Sequence, residues 1–175
     1  ENANADTVHE VSLDGGHSVH TNRTHYTFTE LIPNTEYCVT VYNIGSIRIC
    51  TSPARHRIYV TEEPYNAVGD GKTLNTAALQ QAFTDCGPND EVYFPAGIYL
   101  TEALDLHSCM SVCLEKDAVL QGSSDPTDYL PRIWSRFEGT EQECYRSLLN
   151  AGQLDHTAGA NCENILLYGK GTISG

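Results

Sequence analysis

The segment Tyr65-Asn66-Ala67-Val68-Gly69-Asp70-Gly71-Lys72-Thr73 runs almost directly into Thr76-Ala77-Ala78-Leu79-Gln80-Gln81-Ala82-Phe83. A glycine-punctuated turn therefore feeds a helix. Leu79, Ala82, Phe83 and Cys86 recur at i, i+3, i+4 and i+7 and make one apolar stripe along it. Thr73 or Asn75 stands where a side chain can cap the first turn, and Gly87-Pro88 ends the helix. Short apolar runs follow: Val92-Tyr93-Phe94, Ile98-Tyr99-Leu100, Leu104-Asp105-Leu106, Met110 to Leu114 and Val119-Leu120. After a long interval come Ile165-Leu166-Leu167 and Thr172-Ile173. Each run is too short for a sandwich strand, and Gly or Pro separates most of them. Stacked coils account for the spacing, because each coil buries two or three side chains against the next. The helix then covers the end of the stack, where bare strand edges would otherwise invite pairing.

Composition narrows the function classes. At 175 residues the chain makes one domain or two small ones, and 40% hydrophobic with 19% charged residues suits a packed protein. No apolar run approaches the roughly 20 residues of a membrane span. Ten Lys and Arg against 23 Asp and Glu leave a net charge of −13, which repels phosphate backbones and argues against nucleic acid as a partner. The same charge opposes an anionic sugar polymer, so a cleft for one needs local Arg, Lys or His. The seven Cys form no CxxC pair and no Cys/His cluster with zinc-finger spacing. Their odd number points to free thiols in a reducing compartment, the cytoplasm. Glu1 to Asp6 has no signal-peptide character and the chain has no initiator Met, so it reads as starting inside a longer product and a secreted origin stays open.

Residues 8–51 follow a different rule. Val8 to Leu13 ends at Asp14-Gly15-Gly16, and His25-Tyr26-Thr27-Phe28-Thr29 follows. Glu36 to Tyr42 and Ser46 to Cys50 are joined by Asn43-Ile44-Gly45. Period-2 alternation predicts an antiparallel sheet with one buried face. The turn at 43–45 is expected to set Cys38 opposite Cys50, within disulfide reach in a secreted protein. In Leu31-x-Pro33-x-Thr35-x-Tyr37 the tyrosine is placed to turn its hydroxyl back onto the preceding loop. This block resembles a fibronectin type III domain from its third strand onward. The first two strands of that family have no counterpart, which implies an incomplete sandwich with an open sheet edge. The expected organisation is a partial fibronectin type III-like sandwich over 1–52, a linker over 53–64 holding the short strand Arg57-Ile58-Tyr59-Val60, and a parallel β-helix over 65–175. The fold class is all-β, with one short capping helix.

The second block also carries a resemblance. Ala67-Val68-Gly69-Asp70-Gly71-Lys72-Thr73 followed by a helix is shared among pectate-lyase-like β-helix proteins. Phe94-Pro95-Ala96-Gly97-Ile98-Tyr99-Leu100-Thr101, Leu114 to Ser123, Ser124-Asp125-Pro126-Thr127-Asp128-Tyr129 and Asn164 to Gly175 resemble glycoside hydrolase family 28, in that family's order. Asn66 stands where the family usually has Gly, and Asn tolerates left-handed backbone angles. A fibronectin-like module ahead of the β-helix is similar to the exo-acting polygalacturonases of the family. The resemblance implies a right-handed parallel β-helix, a pectic polysaccharide or oligogalacturonide as partner, no cofactor, and hydrolysis of α-1,4-galacturonan with inversion. In the family three Asp on neighbouring coils do that chemistry, with a nearby His and an Arg-x-Lys. None of those motifs occurs here, since no two Asp are adjacent and there is no Gly-His-Gly or Arg-x-Lys. The catalytic residues are therefore expected beyond Gly175, and none is assigned within the chain. A non-catalytic carbohydrate-binding β-helix of the tailspike kind and a pectate lyase are the alternatives.

The most function-like segment is Arg132-Ile133-Trp134-Ser135-Arg136-Phe137-Glu138-Gly139, in the long loop between coils. An Arg fork can clamp a uronate carboxylate and Trp can stack on a sugar ring. Arg132, Trp134, Arg136 and Glu138 are thus candidate substrate-binding residues; the alternative is an Arg–Glu pair that ties the loop down. His156, beside Asp155, is a further candidate contact or a hydrogen-bonded loop residue. Val68 to Thr73 is not a phosphate loop, because Asn66 occupies a required glycine position. The acidic residues at 85, 90, 91, 115 and 117 read as solvated coil corners.

Overall fold

The computed structural model describes residues 7–155, 157, 159 and 161–175. The chain divides into two compact units, Glu1–Ala54 and Arg55–Gly175.

The first unit is one antiparallel sheet of β1 (His9–Leu13), β2 (Val19–Thr21), β3 (Glu36–Val41) and β4 (Gly45–Cys50), in the order β2-β1-β3-β4. Alternation sorts its faces. Val11, Val39 and Val41 share one face with Ile47 and Ile49, while Glu36, Thr40, Ser46 and Arg48 share the other. Tyr37 does turn its hydroxyl back, where it accepts the Ile32 N–H at 2.9 Å. Two expectations change. Residues 25–29 form no strand; Tyr26 and Phe28 instead meet edge to face at 4.9 Å and line a hollow with Val11, Val39 and Val41. The segment has no neighbouring strand to complete a ladder, so ring packing sets its path. Cys38 also lies opposite Arg48, and Cys50 opposite Glu36. The β3–β4 pair closes with Val41 facing Gly45, so the turn centres on Asn43, one residue before Ile44, and this moves every partner by two. Both thiols are free.

The second unit is a parallel β-helix. Its strands are β5 (His56–Tyr59), β6 (Asp70–Leu74), β7 (Asp90–Phe94), β8 (Gly97–Thr101), β9 (Leu104–Leu106), β10 (Ser111–Leu114) and β11 (Ala118–Gly122). After the hairpin β12 (Ile133–Phe137) and β13 (Thr140–Cys144) come β14 (Leu149–Ala151), β15 (Leu166–Gly169) and β16 (Thr172–Ser174). Three parallel sheets result: β15-β10-β7-β5, β16-β11-β8-β6 and β14-β9. The chain visits each in turn, once per coil. Residues 56–59, inside the segment expected to be a linker, are a rung of the first sheet, with Ile58 opposite Val92. Their alternation explains it: Ile58 packs toward the core while Arg57 pairs with Glu91 on the outer face.

Helix α1 (Thr76–Asp85) lies against this stack with Leu79, Ala82 and Phe83 buried, as its apolar stripe requires. Phe83 meets Phe94 edge to face, and Phe94 meets Tyr99 in the same way. The glycines of the entry turn are close-approach positions. A Cβ on Gly69 would stand 3.2 Å from the Gly97 Cα, and Gly71 has φ +69 over Ile98. Asn66 adopts φ 53.

Asn75 holds the cap position but makes no side-chain cap bond to the helix. Its Oδ1 accepts the Val68 N–H at 2.7 Å, and its Nδ2 donates to the Val68 carbonyl at 3.0 Å and the Thr73 carbonyl at 2.8 Å. One buried amide thus shapes the turn that the helix leaves. Glu91 also departs from expectation. It is 4% exposed, not a solvated corner. It takes Arg57 Nε at 2.7 Å and the Tyr168 hydroxyl, so three strands of the first sheet are tied on their outer face. Burial, with Glu91 second, pushes the Tyr168 hydroxyl well above the usual tyrosine range.

Two stability outcomes are expected. Asn75→Ala should lower unfolding free energy by about 1–3 kcal/mol, because it strands backbone groups of Val68 and Thr73. Chemical denaturation reads this, and a loss below about 0.5 kcal/mol, the range of ordinary surface changes, would show that the clamp is dispensable. Arg57→Ala should cost about 2–3 kcal/mol by leaving a buried carboxylate with Tyr168 alone. Adding Glu91→Gln should recover part of the loss; a further drop would disprove the pair's role.

Candidate functional site

A groove runs over the third sheet. Leu104 of β9 and Leu149 of β14 face each other and pack toward the core. The next pair, Asp105 and Asn150, alternates to the outer face. Asn150 Nδ2 donates to the Leu104 carbonyl at 3.1 Å and to the Ser147 carbonyl at 2.8 Å, which fixes the chain leading into β14. Gln80 of α1 brackets the Asp105 backbone, accepting its N–H at 2.8 Å and donating to its carbonyl at 3.1 Å. Backbone bonding thus anchors the groove floor from both sides.

Two hollows meet over this floor. One, of about 490 Å³, runs beside Thr76, Gln80, Glu102, Asp128 and Leu130. The other, of about 450 Å³, runs beside Trp134, Asn150, Gln153 and Asp155. Asp105 and Arg146 line both. They form an ion pair through Arg146 Nη2 and Asp105 Oδ1, with the arginine side chain only 19% exposed. Asp155 accepts the Thr157 N–H at 3.0 Å and its hydroxyl at 2.8 Å, and these bonds hold its carboxyl below the usual range and charged. Asp128 accepts from the Ser123 hydroxyl. Among the described residues, four carboxylates therefore border the groove against one guanidinium, which is already matched. Among the described residues no group of His, Cys, Asp and Glu is arranged to hold a metal.

The long excursion between coils is a hairpin rather than a loop. Phe137 faces Thr140 across Glu138-Gly139, and both turn residues have positive φ, 49 and 83, as a two-residue turn that follows the strand twist requires. Trp134 is 61% exposed and borders the groove. The two arginines serve the hairpin itself. The Arg132 guanidinium lies 4.5 Å from the Tyr145 ring centre, and Arg136 pairs with Glu141 across the strands at 2.7 Å. Glu138 forms the hairpin tip. Of the expected candidates, the structure brings Trp134 to the groove, while Arg132, Arg136 and Glu138 do not border it; His156 lies outside the described residues. Arg146 escaped sequence reasoning because its partner is 41 residues away.

No family model matches the chain. It is 40% identical over 111 residues to the exo-poly-alpha-D-galacturonosidase of Dickeya chrysanthemi, covering 63% of this chain and 18% of that protein. The structure resembles the family 28 exopolygalacturonase of Yersinia enterocolitica with a TM-score of 0.66 at 35% identity, covering 82% of this chain and 26% of that one. It also resembles a hyperthermoactive exopolygalacturonase from Thermotoga maritima, with a TM-score of 0.58 at 26% identity over 69% of this chain and 25% of that one. The chain thus spans about a fifth to a quarter of the length of these relatives, and its coils have the right-handed parallel β-helix fold.

Proposed function

We propose that this chain is the helix-capped opening of a pectin-degrading glycoside hydrolase that cleaves α-1,4-linked galacturonan with inversion. The observation that carries the reading is the 40% identity to an exo-poly-alpha-D-galacturonosidase, which falls on a chain whose parallel coils hold an open groove beside an exposed Trp134. Inversion needs an acid for the leaving oxygen and a base for water, with carboxyl groups about 6.5–9.5 Å apart. The chain has no adjacent Asp pair, so its own contribution is to build the scaffold and bind part of the polymer. No metal or organic cofactor takes part.

The first unit is read as a partial fibronectin type III-like module. Its antiparallel sheet and the Tyr37 hydroxyl bonded to the Ile32 N–H support this. Exo action is the direction in which the named relatives point.

The test is an assay of the full-length protein on polygalacturonate with a calcium chelator present. Reducing ends should appear with no unsaturated product, and mono- or disaccharide should accumulate from the start if the action is exo. These 175 residues alone should release no reducing ends. Unsaturated product that appears once calcium replaces the chelator would move the protein to the lyases. Binding without turnover would leave a carbohydrate-binding scaffold.

A further inference from the structure

The groove on the third sheet has a charge pattern that a galacturonan cleft does not need. Among the described residues Arg146 is the single cation lining the two hollows, and it lines both of them. A free guanidinium there would be a receptor for a sugar carboxylate. Instead Asp105 occupies it, and Asp105 is held in place through its backbone by Gln80. Glu102 and Asp128 border one hollow and Asp155 the other. A free uronate entering here meets like charges on both sides and a cation already satisfied. A sugar without a charge meets the exposed indole of Trp134 and the polar groups of Asn150 and Gln153 at no such electrostatic penalty.

We propose that Asp105, by neutralising Arg146, makes this stretch of the groove select uncharged sugar units, methyl-esterified or neutral, over free galacturonate. The inference rests on the pectic reading and sharpens it. The polymer would pass this face with its charges masked, and free carboxylates would be received elsewhere along the coils. Asp105 is a specificity-determining residue in this scheme; Trp134 supplies contact that does not depend on charge.

The test is binding rather than turnover, so it stands apart from the hydrolysis assay. Full-length wild type, Asp105→Asn, Asp155→Asn, Arg146→Gln and Trp134→Ala are titrated with oligogalacturonides as the free acid and as the methyl ester, and each variant is compared with wild type for the two ligands separately. Asp105→Asn should release Arg146 and tighten binding of the free acid by about fivefold or more, while the ester changes less than twofold. Asp155→Asn, on an exposed loop, should move affinity the same way by a smaller factor that vanishes at high salt. Arg146→Gln should leave the free acid no worse, and Trp134→Ala should weaken both ligands alike. Loss of free-acid affinity in Arg146→Gln would make that arginine the carboxylate receptor and overturn the proposal. So would equal effects of Asp105→Asn on acid and ester, or no binding of either ligand. If the protein fails to hydrolyse any pectic polymer while these ratios hold, the catalytic reading falls and the selectivity stands.

Discussion

The edge-to-face contact of Phe83 with Phe94 is where the second unit closes. A parallel coil buries its inward side chains only against the next coil, so the first coil has one face with nothing to cover it. Helix α1 supplies the cover with Leu79, Ala82 and Phe83, all fully buried. The turn just before it serves its position. Gly69 lets the chain pass against Gly97, Gly71 bends over Ile98, and Asn75 binds Val68 and Thr73 so that the turn delivers the helix over Phe94 and Tyr99. Gln80, on the flank of the same helix, then fixes Asp105 in the groove. The element that closes the core also sets the backbone of the groove floor.

This coupling explains which features were legible in the sequence. Inward positions are constrained by burial, and burial leaves a period: the i, i+3, i+4, i+7 stripe of the helix and the brief runs of Val92, Phe94, Val112, Leu114 and Leu120. The Tyr37 corner was legible for a similar reason, since its local spacing determines what its hydroxyl can reach. Outward positions have no period to obey. Glu91 looked like a solvated corner because its partners, Arg57 and Tyr168, come from other coils. Arg146 and Asp105 are joined only once β14 stacks beside β9.

The hairpin is the instructive intermediate case. Ile133, Ser135 and Phe137 alternate with Trp134 and Arg136, and Glu138-Gly139 is a turn dipeptide, so the signal for two paired strands was present. The same arginines, in an open loop, would also suit a carboxylate clamp. Once the strands pair, Arg136 is directly opposite Glu141 and Arg132 lies over Tyr145, and the cations are used locally. Cys38 and Cys50 are a comparable case, where a turn centred one residue earlier relocates each partner by two.

Charge now has a structural meaning beyond the net value of −13. A polyanion is held by an acidic protein where the local field reverses, and at this groove the one cation among the described residues is paired with its neighbour. Alternation along the strand makes such a device independent of the fold. Asp105 points out while Leu104 and Leu106 point in or sit at the margin, so the acid can change without disturbing the coil stack. On the proposed reading, selectivity for the charge state of the sugar is carried by the outward position of the β9–β14 rung, where Asp105 meets Arg146, and not by the inward residues that stack the coils.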